Sequence, residues 1–303
     1  MTNMHTMNRR EFLAAAAVGA TAMASAPMSL VAESAPAKRF PLIVFSKVFQ
    51  ELNPADTADL VAEAGLDGIE CPVRKGGQVE PEKVEDALPL MAEALAKCKV
   101  SMPLITTDIL KPGNPLDERV LKTAAKLGIS LYRLGFANYT ADKTLEEQMQ
   151  ARRDDLIGLA QINKKYSVCA CFQNHSGPNN MGAPVWDIHR IISGIEHIGA
   201  AFDIGHATIE GGNAWRLHAR LMEPYYRVVY VKDFVWGKNA RGWASQWRPL
   251  GQGMISPEFF KNLKRSHYSG PISLHVEYPV PKGKGMLNAL KKDVATLKGW
   301  LEA

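Results

Sequence analysis

Ala200-Ala201-Phe202-Asp203-Ile204-Gly205-His206-Ala207 is the stretch on which the fold turns. Small and apolar residues run into an acid, a glycine follows two places on, and a histidine stands three places past the acid. Thr208-Ile209-Glu210-Gly211-Gly212 then reads as a loop. Parallel α/β enzymes carry their chemistry at the carboxyl ends of strands. A short buried strand ending in an acid and a glycine turn fits that plan. Taken alone, Asp203 reads equally well as a strand-end acid capping the next turn, so the flanking sequence has to decide.

On both sides of this stretch, short β-rich runs alternate with longer helical patterns. Strands are expected over 41–46, 68–71, 100–106, 130–135, 167–173, 199–203, 228–232 and 272–277. Helices are expected over 55–64, 82–97, 116–127, 145–165, 186–195, 215–222, 257–265 and 286–301, with Gly65 and Gly128 as stops. Eight strand–helix units at roughly 30-residue spacing predict an α/β chain folded as a single (β/α)8 TIM barrel over 38–303. A doubly wound open sheet needs a topology switch and usually a glycine-rich first turn, and neither is visible. Residues 234–256 are expected to form a long loop after the seventh strand, of a length usually functional or disordered.

Composition agrees with one globular enzyme-sized unit. The 303 residues are 46% hydrophobic and 22% charged, enough for a substantial core. The formal charge of +5 is mild and unclustered, so no nucleic-acid partner is expected. Asn8-Arg9-Arg10-Glu11-Phe12-Leu13 resembles a twin-arginine export signal, and the run from Ala14 to Ala26 is too short and alanine-rich to span a bilayer. Residues 1–37 are therefore expected to be a signal peptide and short leader. The mature protein would then be periplasmic or secreted, without stable membrane insertion. Cys71, Cys98, Cys169 and Cys171 read as free thiols, since Cys169 and Cys171 share a strand face and are too close in sequence to bridge well. A homo-oligomer is left open.

Polar residues gather at the strand ends. In the eighth strand Ile272, Leu274 and Val276 fall on one face, and Ser273, His275 and Glu277 on the other. The seventh ends in Lys232, the fifth in Gln173-Asn174-His175-Ser176-Gly177, the second in Glu70, and the fourth near Arg133. Asp203, Glu277, Lys232, Gln173, His175, Glu70 and Arg133 should ring one opening. Each alone suits a cap or ion pair; their coincidence at strand ends points to a site. Phe234, Trp236, Trp243 and Trp247 lie on the long connection, where aromatics suit stacking on a sugar face or packing the segment down.

These motifs resemble the xylose isomerase-like TIM barrels of the sugar phosphate isomerase/epimerase superfamily, over about Phe40 to Leu301. The resemblance rests on Phe202-Asp203-Ile204-Gly205-His206, Val231-Lys232-Asp233, Pro249-Leu250-Gly251-Gln252-Gly253-Met254 and Leu274-His275-Val276-Glu277-Tyr278. It implies a divalent cation (Mn, Mg or Zn) held by Asp203 and Glu277, with His206 touching substrate. Two positions depart from the family pattern: Gln173 stands where a glutamate is usual, and Tyr230 where a histidine is usual. An amide oxygen adds no charge and a phenol is a poor ligand near neutral pH, so Gln173 completes the expected metal set weakly.

The expected function is proton abstraction beside the carbonyl of a sugar or keto-sugar. Catalytic roles fall on Glu277, Lys232 and Asp203. Substrate contacts fall on His206, Arg133, Glu70, His175 and Trp236. A keto-sugar lyase or hydratase resembling inosose dehydratase, and a non-catalytic periplasmic sugar-binding barrel, stay open as alternatives.

Overall fold

Runs of Val, Ile, Leu and Phe too short for helices become parallel strands, with the helical patterns between them returning the chain. The computed structural model describes residues 39–240 and 242–302, so the expected leader over 1–37 lies outside the described residues. The barrel strands are β1 (Leu42–Phe45), β2 (Gly68–Pro72), β3 (Ser101–Thr106), β4 (Leu131–Arg133), β5 (Cys169–Gln173), β6 (Ile198–Asp203), β7 (Tyr226–Val231) and, after an inserted ribbon, β10 (Ile272–Leu274). They pair in parallel and close in the order β1-β10-β7-β6-β5-β4-β3-β2. The single (β/α)8 barrel is therefore as expected.

Outside the barrel lie α1 (Pro54–Glu63), α2 (Val84–Lys97), α3 (Pro115–Lys126), α4 (Leu145–Tyr166), α5 (Val185–Ile192), α6 (Ile204–Gly211), α7 (Trp215–Met222), α8 (Glu258–Arg265) and α9 (Lys284–Glu302). Their starts are written locally. Asn53 and Asn114 cap α1 and α3, each followed by a proline at the first helical position. Thr144 and Glu147 form a reciprocal capping box on α4, a type of feature contributing about 1 kcal/mol.

Alternation along each strand divides the core in two. Ile69, Ile105, Tyr132, Phe172, Phe202 and Val229 face outward onto helices. Ile43, Leu104, Cys171, Ala201, Val228 and Tyr230 fill the interior as a separate buried cluster. Each fully buried aliphatic or aromatic side chain stabilises the fold by about 1.5–3 kcal/mol. All four cysteines are free thiols, Cys71 and Cys171 buried. Among the described residues no helix is long and apolar enough to cross a membrane.

Two expectations are corrected. The segment after Asp203 is a helix from its first residue, not a glycine turn and loop: the Asp203 carboxylate accepts the His206 N–H at 3.0 Å and caps α6. The segment after β7 is largely ordered as an antiparallel ribbon of β8 (Asp233–Asn239) and β9 (Gly242–Arg248). Its aromatic residues, Phe234 and Trp236 on one strand and Trp243 and Trp247 on the other, sit at even spacings that place them all on one face of the ribbon.

Candidate active site

The floor of the barrel mouth is built on Glu70. Its carboxylate is fully buried and takes hydrogen bonds from the Tyr230 hydroxyl at 2.8 Å, the Ser273 hydroxyl at 2.8 Å and the Thr106 hydroxyl. His275 Nε2 lies 3.1 Å from the same group. Burial alone would raise this carboxyl's pKa, but His275, Thr106 and Arg133 together bring it below the usual carboxylate value. Burial pushes the Tyr230 phenol well up, so it stays protonated and donates. Glu70, expected among the substrate contacts, is thus placed beneath the mouth with both oxygens already taken. Tyr230 serves this floor, and its ring packs on His275 at 4.1 Å. Arg133 is buried as well: it donates to Gln173 Oε1 at 3.3 Å and lies 4.4 Å over the Phe136 ring.

Above the floor, β6, β7 and the segment after β10 bring three charges together. Lys232 Nζ lies 3.1 Å from Asp203 Oδ2 and 3.9 Å from Glu277 Oε1. The Lys232 side chain is 3% exposed and that of Glu277 is 26% exposed, so Glu277 is the carboxylate that solvent and ligands can reach. Lys47, which no sequence pattern marked, approaches its other oxygen at 4.0 Å. Burial, the largest single influence, would raise the Asp203 carboxyl, but the Lys232 ammonium, the neighbouring imidazoles of His206 and His275 and the His206 N–H together outweigh it and leave the pKa far below the usual value. Asn174 fixes Asp203 from the neighbouring strand, accepting its N–H at 2.8 Å and donating to its carbonyl at 2.9 Å.

Gly205 is needed here for space. A Cβ at this position would lie 2.9 Å from Lys232 Cγ and 3.1 Å from Asp203 Oδ1. The glycine lets the first turn of α6 press against the lysine stem and hold it against Asp203.

Two imidazoles line the opposite side. His175 and His206 lie with ring centroids 3.8 Å apart, and His175 also meets Phe136 at 4.7 Å. Burial, with the Lys232 charge adding, lowers the pKa of both, His206 strongly. Both are neutral at pH 7. His175 Nδ1 lies 2.8 Å from the Ser176 carbonyl; a carbonyl only accepts, so Nδ1 carries the proton and Nε2 keeps a free lone pair. His206 Nδ1 meets the Ser176 hydroxyl at 2.8 Å, while its buried Nε2 has no hydrogen-bond partner and lies 3.7 Å from Asp203. A buried ring nitrogen without a partner is costly, and a substrate hydroxyl would satisfy it.

Trp247 roofs the site. Lys232 Nζ stands 4.8 Å from its ring centroid, and His206 meets its edge at 5.6 Å. Trp236, the aromatic expected here, is farther out on the ribbon, 42% exposed and edge-on to Phe234 at 5.7 Å. The ribbon base is tied by Asp233, whose carboxylate accepts the N–H groups of Phe234, Gly251, Gly253 and Ile255. That clamp explains why Val231-Lys232-Asp233 and Pro249-Leu250-Gly251-Gln252-Gly253-Met254 occur together: one supplies the carboxylate and the other the donors. A Cβ on Gly253 would come within 2.2 Å of Asp233 Oδ1.

The donors do not fit the expected divalent cation. Asp203 Oδ2 is engaged by Lys232 and by the Gln173 amide nitrogen at 3.1 Å, and Oδ1 by a backbone N–H. The Gln173 oxygen faces Arg133. The Tyr230 hydroxyl is spent on Glu70. Among the described residues no three His, Cys, Asp or Glu side chains gather as a cation cage. A fixed ammonium supplies the positive charge between Asp203 and Glu277, and a dication beside it would be repelled. As placed here, Asp203, Glu277 and Gln173 do not form the expected ligand set.

A search of the curated proteins returns no match. A 3-keto-D-glucoside 4-epimerase from E. coli has a similar structure, with a TM-score of 0.67, 15% identity, and coverage of 86% of this chain and 100% of that one. So does a probable 3-DHS dehydratase from Bacillus anthracis, at TM-score 0.65, 13% identity, and 86% and 98% coverage. A xylose isomerase-like TIM barrel protein from Mycobacterium smegmatis, in complex with magnesium, matches at TM-score 0.65, 11% identity, and 87% and 97% coverage. The family profile of the xylose isomerase-like TIM barrels matches residues 58–300. With that profile spanning most of the chain, the protein belongs to the xylose isomerase-like TIM barrel family.

Proposed function

We propose that this chain is an exported enzyme of the sugar isomerase/epimerase type that removes a proton beside the carbonyl of a keto-sugar. The observation that carries the reading is Lys232, an ammonium buried at the barrel mouth, anchored by Asp203 at 3.1 Å and flanked by the accessible carboxylate of Glu277 at 3.9 Å. An electrophile beside a base is the minimum set for enolisation. Glu277 takes the proton from the carbon next to the carbonyl. The C–H electron pair moves toward the carbonyl oxygen, where Lys232 stabilises the enolate charge. Asp203 holds Lys232 in place. His206 Nε2 is left to pair with a substrate hydroxyl, His175 Nε2 borders the same space, and Arg133 holds Gln173, which in turn donates to Asp203.

Elimination is the outcome that the donor set favours over epimerisation. Inverting a carbon calls for a proton donor on the face opposite the base. Gln173 cannot supply one at the position of the usual glutamate, and His175 carries its proton on Nδ1, bound to a carbonyl. A single base suits loss of a β-substituent: the enolate re-forms the carbonyl, its electrons make a C=C bond as the C–O bond at the next carbon breaks, and the leaving oxygen takes back the proton that Glu277 removed. Similar structures include one titled an epimerase and one titled a probable dehydratase. Export rests on Arg9 and Arg10 in the leader.

Incubating the protein with keto-sugars in heavy water tests the reading. Deuterium entering the carbon beside the carbonyl, or loss of water or alcohol from the adjacent carbon, is expected. Tight sugar binding without either would instead make the barrel a binding protein.

A further inference from the structure

We infer that the aromatic face of the β8–β9 ribbon is a subsite for a second sugar ring, and that the substrate is a glycoside of a keto-sugar. This rests on the keto-sugar reading above and narrows it. Cross-strand pairing places Phe234 opposite Trp247, Trp236 opposite Ser245, and Lys238 opposite Trp243. Paired residues of an antiparallel ribbon share a face, so Phe234, Trp247, Trp236 and Trp243 form one row. The other face carries Val235, Gly237, Ala244 and Gln246, without a single aromatic ring.

The row is graded. Phe234 is fully buried at the base, Trp247 is partly covered over Lys232, and Trp236 and Trp243 are 42% and 71% exposed toward the tip. Whatever the lysine binds lies under the first indole, so a unit linked to it leaves the mouth along the next two. Ser245, small and polar, stands across from Trp236 and leaves that indole uncrowded by its partner. Indole faces bordered by a hydroxyl and an ammonium suit the apolar faces and polar rim of a pyranose.

A second protein chain fits the row poorly. At about 250 Å² for a whole tryptophan, the 42% and 71% of the two side chains that are exposed offer roughly 300 Å², whereas a stable interface takes about 800 Å² from each partner. The row is also one side chain wide. A linked sugar unit matches both its width and its continuity with the mouth.

The test uses the full chain and its solvent-deuterium exchange or elimination kinetics on 3-ketoglucose and on the 3-keto derivatives of cellobiose, maltose and trehalose. At least one disaccharide is expected to exceed 3-ketoglucose about tenfold in kcat/KM. Trp243→Ala, at an exposed position, is expected to cut that preference about 2- to 10-fold, mainly through KM. Trp236→Phe should keep more of the preference than Trp236→Ala. Three results overturn the subsite while leaving the keto-sugar reading intact: no disaccharide preferred over 3-ketoglucose, equal loss on all four substrates, or a change in oligomeric mass without a change in preference. Turnover of none of the four overturns both.

Discussion

The ammonium of Lys232 lies 3.1 Å from Oδ2 of Asp203, and both side chains are almost wholly buried. Removing one charge strands the other. Lys232→Met is expected to destabilise the fold by about 3–5 kcal/mol and to lower activity by about 10²- to 10³-fold. The double variant Lys232→Met/Asp203→Asn should recover much of the stability and none of the activity. Thermal melts beside deuterium-exchange rates separate the two effects; recovery of activity would refute the electrophile assigned to Lys232.

Acid should weaken the protein from near neutrality. Burial, reinforced by Lys232, pulls the His206 pKa well below its ordinary value of 6.5. Folded His206 therefore resists a proton that the unfolded chain accepts. Stability is complete above about pH 6.5 and declines as pH falls below it, until the folded imidazole also protonates. Denaturant midpoints between pH 7.5 and 5 are expected to drop, with a shallower slope in His206→Gln. An unchanged slope would place the dependence on other groups.

Gly205→Ala should injure the site through packing alone. The added methyl meets Lys232 Cγ at 2.9 Å, so either α6 or the lysine must shift. Overpacking of this kind costs about 1–3 kcal/mol, and displacing Lys232 from the reacting carbonyl should reduce kcat at least tenfold. Melting temperature and kcat measured together check both parts.

Chelation should be silent. Protein treated with EDTA and exchanged into metal-free buffer is expected to keep its melting temperature and its rate of deuterium exchange. A resident metal present at a hundred times its dissociation constant would stabilise the fold by about 2.7 kcal/mol, a loss easily seen. Restoration of activity by added Mn²⁺ or Mg²⁺ would reverse the reading of Gln173 and Tyr230.

Much of this was legible because strand chemistry is local. Alternation alone put Ser273, His275 and Glu277 on one face, and the acid ending β6 and the lysine following β7 marked the mouth. What escaped depended on pairs distant in sequence. Nothing near Glu70 says that Tyr230 and Ser273 will spend its oxygens inside the barrel. Nothing near Trp247 says that it, rather than Trp236, will meet Lys232; that follows from the register of β8 against β9. Gly205 looked like a turn because glycine usually means backbone freedom, whereas here a lysine stem from another strand needs the room. Asp233 lay in view beside its glycine-rich partner segment, but only the fold joins them.

The knot at Asp233 has an evolutionary corollary. The chain departs from the barrel at this residue and is returned to it by Gly251, Gly253 and Ile255, all tied to the same carboxylate. Everything between is a cassette spliced across a closed junction. Mutation can lengthen, trim or redecorate the outer part of the cassette, beyond Trp247 and Phe234, without moving Lys232, Asp203 or Glu277. Selection for new substrates and selection for chemistry thus act on separate parts of one continuous chain.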